Sequence, residues 1–166
     1  FDSAVIVDTG AGTAVGTGSG AGNVVFDTTL TLSDVGGADD LTITADAGSV
    51  TFTGAVALGT NDLTIASSDT ATVTAGIGGS TGSLDFTTTT RTDVDGAIAL
   101  TGAGVVQLDA ATISAAGGVT TVAGLIDFDS AVIVDTGAGT AVGTGSGAGN
   151  VVFDTTLTLS DVGGAD

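Results

Sequence analysis

The sequence predicts an all-β chain, and within that class a β-solenoid (β-helix) with about six three-strand coils of ~21 residues in each 127-residue unit. Three observations predict this fold. Short runs of alternating apolar and polar residues fill the chain. No window shows the 3.6-residue apolar spacing of a helix, and glycine interrupts every longer stretch. The alternating runs also recur at a nearly regular distance.

The alternating runs predict very short strands of three to five residues. Large apolar residues occupy every second position, mostly with Thr, Asp or Gln between them, so that one face of each run is apolar and the other polar. Gly, Asp, Asn and Ser lie between the runs, as is typical of turns. The runs are Leu41–Ile43, Val50–Phe52, Val56–Leu58, Leu63–Ile65, Leu84–Phe86, Ile98–Leu100, Val106–Leu108, Ile126–Phe128, Val151–Phe153 and Leu157–Leu159.

One class of strand recurs at an interval that fits one solenoid coil. Its apolar residues have sequence numbers that differ by 22, 21, 22, 20 and 25 in turn, and a last step of 17 is expected to close the 127-residue unit. Coils stacked about 4.8 Å apart would bury one continuous core along the axis. The class comprises Ile43, Ile65, Phe86, Leu108, Phe128 and Phe153. We expect the core to contain Phe1, Phe26, Ile43, Phe52, Phe86, Leu108 and Phe128, and we expect Thr42, Thr64, Asp85, Gln107 and Asp127 to face outward.

A tandem β-sandwich is the alternative fold, and a 127-residue unit would suit it. Sandwich strands are usually about five to six residues long, which is longer than most of the runs found here. The absence of Trp, Tyr and Pro, together with the ~21-residue sub-period, also favours the solenoid.

The chain contains an exact internal repeat. Residues 1–39 recur without a change as residues 128–166, which sets a 127-residue period. We expect residues 1–127 to be one full repeat unit and residues 128–166 to begin the next, in a continuous solenoid without a linker. On this interpretation the chain is a segment of a longer array, whose immediate partners are neighbouring identical repeats.

The composition is narrow and acidic. Lys, Glu, His, Cys, Met, Pro, Trp and Tyr are absent, Arg91 is the only base, and the net charge is −18. The usual general bases and nucleophiles are therefore missing, and we expect no enzyme activity, no catalytic residue and no cofactor-binding site. Pairs of Asp could act as glycosidase carboxylates, but Asp is also common at solvated turns. The charge disfavours nucleic acids and anionic membranes as partners.

Several segments resemble the β-strand repeats of giant exported bacterial proteins. The segments are GGADDLTITADAGSVTFTGAV, GTNDLTIA and TGSLDFTTTT, and the likeness is one of style that extends over the whole chain. The resemblance is to filamentous-haemagglutinin-like adhesins and autotransporter passengers. It implies a β-solenoid, secretion to the cell surface or the extracellular space, and roles in adhesion, biofilm matrix or cell-surface coating. We therefore expect a structural repeat of an extracellular fibre, an adhesin stalk or a cell-surface or matrix filament. Lateral association of fibres is a further expected partnership.

Two short segments are candidates for calcium binding. Asp39 and Asp40 end the segment Gly36–Asp40, and Asp93 and Asp95 lie in the segment Arg91–Gly96, which contains the DxDG core of calcium loops. Each segment is incomplete as a motif, because the first lacks a glycine and the second lacks a closing Glu. A calcium-binding surface-layer-like array is therefore the alternative function, with solvated corner carboxylates as the competing interpretation of these four residues.

Thr-x-Thr pairs raise a third function, because ice-binding solenoids present ranks of threonine on one flat face. The rank that begins at Thr42 continues through Asp85 and Gln107, and a second rank is interrupted around Arg91. Threonine ladders that stabilise a sheet explain the same pattern.

Overall fold

The computed structural model describes residues 1–7, 12–17, 20–33, 39–121, 123–135, 141–145 and 147–160. In these ranges all nineteen secondary-structure elements are strands, and every strand pair is parallel. The described ranges contain no helix long and apolar enough to cross a membrane. The prediction of an all-β solenoid of about six turns is confirmed.

The strands form three columns that run along the solenoid axis. The first column contains β1 (Val5–Val7), β4 (Leu30–Leu32), β7 (Val56–Ala57), β9 (Ile77–Gly79), β11 (Ile98–Leu100), β14 (Val119–Thr121) and β17 (Val142–Thr144). The second contains β2 (Thr13–Gly16), β5 (Leu41–Thr44), the first part of β8 (Leu63–Val73), the first part of β10 (Leu84–Val94), β12 (Val106–Asp109), β15 (Ile126–Phe128) and β18 (Val151–Phe153). The third contains β3 (Val24–Phe26), β6 (Ser49–Phe52), the second parts of β8 and β10, β13 (Thr112–Ser114), β16 (Val132–Asp135) and β19 (Leu157–Ser160).

Each strand segment pairs with the segment three places further along the chain, because three segments complete one coil. The registers of the second column join Ile43 to Ile65, Ile65 to Phe86, Phe86 to Leu108, Leu108 to Phe128 and Phe128 to Phe153. These are the five steps that the sequence spacing predicted.

The expected closing step is wrong. A 17-residue coil would place Phe26 next to Ile43, since Phe26 is the copy of Phe153 in the first unit. In the structure Phe26 pairs with Phe52 in the third column, and Ile43 pairs with Val15 in the second. The unit therefore spans about six coils, as predicted, but it does not span a whole number of them.

The alternating pattern places one side of every column in a single core. Phe26, Ile43, Phe52, Phe86, Leu108 and Phe128 are all buried there, as predicted. Phe1 is an exception, because it lies on the first coil and remains 54% exposed, although its ring stacks on that of Phe26. The outward positions of the second column include the predicted Thr42, Thr64, Asp85, Gln107 and Asp127.

Stacked glycines allow the corners before the second column to approach one another closely. A Cβ on Gly104 would overlap the carbonyl oxygen of Gly82 in the preceding coil, and a Cβ on Gly124 would overlap that of Gly104. Only a residue without a side chain fits at such a close backbone approach. Two corners between the second and third columns differ, because no glycine interrupts β8 or β10. Each of these strands continues through the corner for 11 residues, which is longer than the predicted strands.

Candidate functional site

The four residues predicted to bind calcium lie at two separate corners. Asp39 and Asp40 precede β5 in the second column, whereas Asp93 lies in the third-column part of β10 and Asp95 follows it. The structure therefore does not bring the two pairs together. Residues 36–38, which belong to the first predicted segment, lie outside the described residues.

The carboxylate of Asp40 belongs to a ladder of hydrogen bonds between coils. Its Oδ1 accepts a hydrogen bond of 2.9 Å from the backbone amide of Asp62, one coil further on. The Oδ1 of Asp62 accepts from the amide of Ser83 at 2.8 Å, and the Oγ of Ser83 accepts from the amide of Val105 at 3.1 Å. These side chains satisfy corner amides that no strand pairing reaches. Asp40 thus has a structural role at the corner.

Asp39 is fully buried beside a buried asparagine. The Oδ1 of Asn61 accepts a hydrogen bond of 2.9 Å from the amide of Asp39. The Nδ2 of Asn61 donates to the carbonyl oxygens of Leu58 at 3.0 Å and of Ser33 at 3.2 Å. Asn61 therefore links two consecutive coils through their backbones. Asn61 was not predicted to have this role, although asparagine in a Gly-Thr-Asn corner is a signal for this type of backbone contact.

Asp93 forms an ion pair with the only basic side chain of the protein. The Nε of Arg91 lies 2.6 Å from Oδ1 of Asp93, and the two side chains are 50% and 26% exposed. Such an exposed pair contributes little to stability. Asp95 is exposed at the corner that follows. Arg91 lies two residues before Asp93 on the same strand and places a positive charge beside its carboxylate.

A different group of carboxylates lies on the outer side of the second column. Asp127, Asp129 and Asp154 each place one carboxylate oxygen within 4.8 Å of the others, which makes them the one group of three or more such ligands among the described residues. Asp127 lies in β15, Asp129 follows β15, and Asp154 follows β18 in the next coil. We call Asp127, Asp129 and Asp154 the acidic triad. The nearby Gln107 donates from Nε2 to Oδ2 of Asp129 at 2.9 Å.

The carboxylates of the acidic triad repel one another. Burial, followed by the negative charges of Asp129 and Asp154, raises the pKa of the Asp127 carboxyl above its ordinary value. The Oδ1 of Asp127 is covered from solvent and has no hydrogen-bond partner among the described residues. Burial and the charges of Asp129 and Asp109 likewise raise the pKa of Asp85, two coils earlier in the same column. The negative field therefore extends along this side of the solenoid.

The triad offers the oxygen ligands that hard cations such as Ca²⁺ prefer. Three carboxylates supply part of the six to eight oxygens of a calcium site, and water or backbone carbonyls would have to supply the rest. The sequence did not predict this group, because its members come from two coils and no short motif contains all three. The signal that could have revealed it is the 25-residue step from Asp129 to Asp154, which equals the step from Phe128 to Phe153 in the same register.

The threonine ranks on the outer surface are short. In the second column Thr42 and Thr64 are followed by Asp85, and in the third column Thr51 and Thr72 are followed by Asp93. Neither rank continues over more than two coils before an aspartate replaces threonine.

No protein-family model, curated protein or solved structure matches the chain. The fold and the geometry of its surface are therefore the basis for any functional conclusion.

Proposed function

We propose that the chain is a structural repeat of an extracellular fibre, such as an adhesin stalk or a cell-surface or matrix filament. The observation that carries this proposal is a comparison of identical residues. Leu30 and Leu32 are 0% and 2% exposed, whereas their copies on the last described strand, Leu157 and Leu159, are 43% and 62% exposed. Leu30 lies under the next coil, because β4 pairs with β7, whereas no described strand follows β19.

Stacking a further coil would remove this apolar surface from water. Because Leu157 and Leu159 are already partly buried, their full burial would contribute only the remaining part of the about 1.5–3 kcal/mol that burying a fully exposed leucine contributes. The backbone donors and acceptors of the terminal strand would also gain partners, which is how a solenoid avoids exposed sheet edges. Continued stacking of identical units is therefore favourable, and it yields a long fibre with an acidic outer surface.

Immunogold labelling of intact cells of the source organism, with an antibody against this chain, tests the fibre role. We expect gold particles on filaments that extend from the cell surface or lie between cells. Mild external protease treatment should then remove or shorten the labelled material. Labelling only after the cells have been permeabilised would overturn the extracellular role.

Calcium binding by the array is a second candidate function, and the acidic triad is the observation that favours it. A cation bound between Asp127, Asp129 and Asp154 would relieve their mutual repulsion and join two adjacent coils. Binding to the folded chain alone would raise its stability by mass action.

Thermal unfolding in about 5 mM CaCl₂, compared with NaCl at the same ionic strength, tests this second candidate. We expect calcium to raise the melting temperature more than NaCl does, and we expect Asp129→Asn to abolish the difference. Asp95→Asn is the matched control, because Asp95 belongs to the site predicted from the sequence and lies away from the triad. Loss of the calcium effect in Asp95→Asn alone would place the site at Asp93 and Asp95. Equal effects of the two salts would show screening only.

A further inference from the structure

The two copies of the 39-residue segment occupy different sides of the solenoid. β1 (Val5–Val7) lies in the first column, whereas its copy β16 (Val132–Asp135) lies in the third. Similarly, β3 (Val24–Phe26) lies in the third column and its copy β18 (Val151–Phe153) in the second. Identical residues are therefore displaced by one column, which is one third of a turn about the axis.

The displacement preserves the strand pairing and the ring stacking that the structure describes within each copy. Val5 pairs with Leu30, and their copies Val132 and Leu157 pair in the same register. The rings of Phe1 and Phe26 stack at 4.9 Å, and those of their copies Phe128 and Phe153 stack at 5.1 Å. In their described parts the two copies thus pair and stack alike, and they differ in their position around the axis.

The number of strand segments in one unit explains the displacement. From β1 to the strand before β16 there are fifteen strands, and β8 and β10 each contribute two segments, which makes seventeen segments in the described ranges. Three segments complete one coil, so seventeen segments fall one short of six coils. If the second copy kept the column of the first, β16 would be the next strand of the first column after β14. One whole coil would then have to fit into the 13-residue step from Val119 to Val132. Three strands of three residues would then leave about four residues for three corners.

We infer that consecutive repeats are rotated by one third of a turn about the fibre axis, so that the same surface faces three sides in rotation. A given surface returns to its starting side only after three repeats. With about 4.8 Å between coils, one repeat advances the fibre by about 27 Å, and copies on the same side lie about 82 Å apart. The rotation follows from strand pairing alone and does not depend on the proposed fibre role.

This arrangement determines which partners a repeated surface can bind. A group present once per repeat, such as the acidic triad, is offered to partners that approach from all three sides. A flat, closely spaced lattice such as ice cannot contact the group in successive repeats, because two of every three copies face elsewhere. A planar partner therefore meets the same group only in every third repeat.

Pyrene fluorescence on the intact 166-residue chain tests the rotation. The chain contains no cysteine, so that introduced thiols are the only labelling sites. Ser114 and Ile133 are partners in adjacent strands of the third column, and both side chains point outward. We expect the doubly labelled variant Ser114→Cys/Ile133→Cys to show excimer emission at concentrations where intermolecular contact is negligible. The variant Thr120→Cys/Ile133→Cys places the second label in the first column and should show monomer emission only.

The opposite pattern would show that the second copy keeps the column of the first, because Ile133 would then adjoin the strand that carries Thr120. The pair Thr51→Cys/Thr72→Cys is the positive control, since these residues are partners whichever column the second copy takes. If the control shows excimer emission and neither test pair does, the proposed rotation would also be overturned.

Discussion

The ring of Phe52 stacks on the ring of Phe26 with a centroid separation of 5.4 Å and an interplanar angle of 11°. Both side chains are almost completely buried, and the ring of Phe52 also lies 6.2 Å from the ring of Phe86. We expect Phe52→Ala to lower the free energy of unfolding by about 3–5 kcal/mol, because it removes buried apolar area and leaves a cavity. Phe1→Ala is the control, since Phe1 is 54% exposed and should cost far less. Urea denaturation measures both values, and equal losses would contradict the burial difference.

A second prediction concerns the glycine corners. Gly104→Ala should destabilise the chain by about 1–3 kcal/mol, because the new methyl group would overlap the backbone of Gly82 and force the coils apart. Gly78→Ala is the matched control in a neighbouring coil, where a Cβ would meet nothing closer than the carbonyl oxygen of Ala99 at 4.0 Å. The control should be neutral or slightly stabilising. Unfolding of both variants in urea distinguishes the two sites, and a neutral Gly104→Ala would contradict the close stacking.

A third prediction concerns the pH dependence of stability. Because the pKa of Asp127 is higher in the folded chain than its ordinary value of 3.8, the folded state binds this proton more readily than the unfolded state. The contribution to stability is therefore present below pH 3.8 and is lost as the pH rises through the raised pKa. Asp127→Asn should be more stable than the parent chain at pH 7, by a few tenths to about 1 kcal/mol, since the half-buried group is partly screened.

The stability difference between Asp127→Asn and the parent should shrink as the pH falls and vanish below the ordinary pKa. Thermal unfolding between pH 3 and pH 7 measures it. Asp95→Asn, which changes the net charge equally at an exposed corner outside the triad, is the control. The same pH dependence in both variants would show an effect of net charge alone.

A fourth prediction concerns proteolysis. Arg91 is the only site for trypsin, and it lies within β10, paired with Thr70 on one side and Thr112 on the other. Cleavage requires local opening of these coils, and an opening free energy of about 3 kcal/mol slows it about 100-fold. We expect the native chain to be cleaved at least that much more slowly than a synthetic peptide of residues 84–98. Similar rates, followed by gel electrophoresis, would be inconsistent with a rigid stack.

Hydrophobic alternation was sufficient to predict the second column. Each step of the series from Ile43 to Phe153 joins two residues that are paired in the structure, because a parallel solenoid keeps apolar residues of successive coils in register. The closing step could not be predicted in this way. Phe26 and Ile43 both end a short apolar alternation, so that the 17-residue step between them is compatible with one coil or with two thirds of one.

The candidate sites were harder to predict than the fold, because the corners bring together residues that are distant in the sequence. Asp40 was predicted from a local motif to bind a cation, and that motif does not indicate that its carboxylate also accepts a hydrogen bond from the backbone amide of Asp62 in the next coil. Asp127 was expected only to face outward, and its proximity to Asp154 depends on the length of the intervening coil. Both contacts join residues of different coils, so that no local sequence motif could predict them.

The pairing of each segment with the third segment along the chain also has a genetic consequence. In a gene that carries several copies of the unit, recombination between misaligned copies removes or adds a whole 127-residue unit. Every remaining segment still meets a neighbour of the same sequence, because pairing depends on order along the chain and not on a particular side of the solenoid. No new interface has to evolve. The number of repeats can thus change while the pairing between successive coils stays the same.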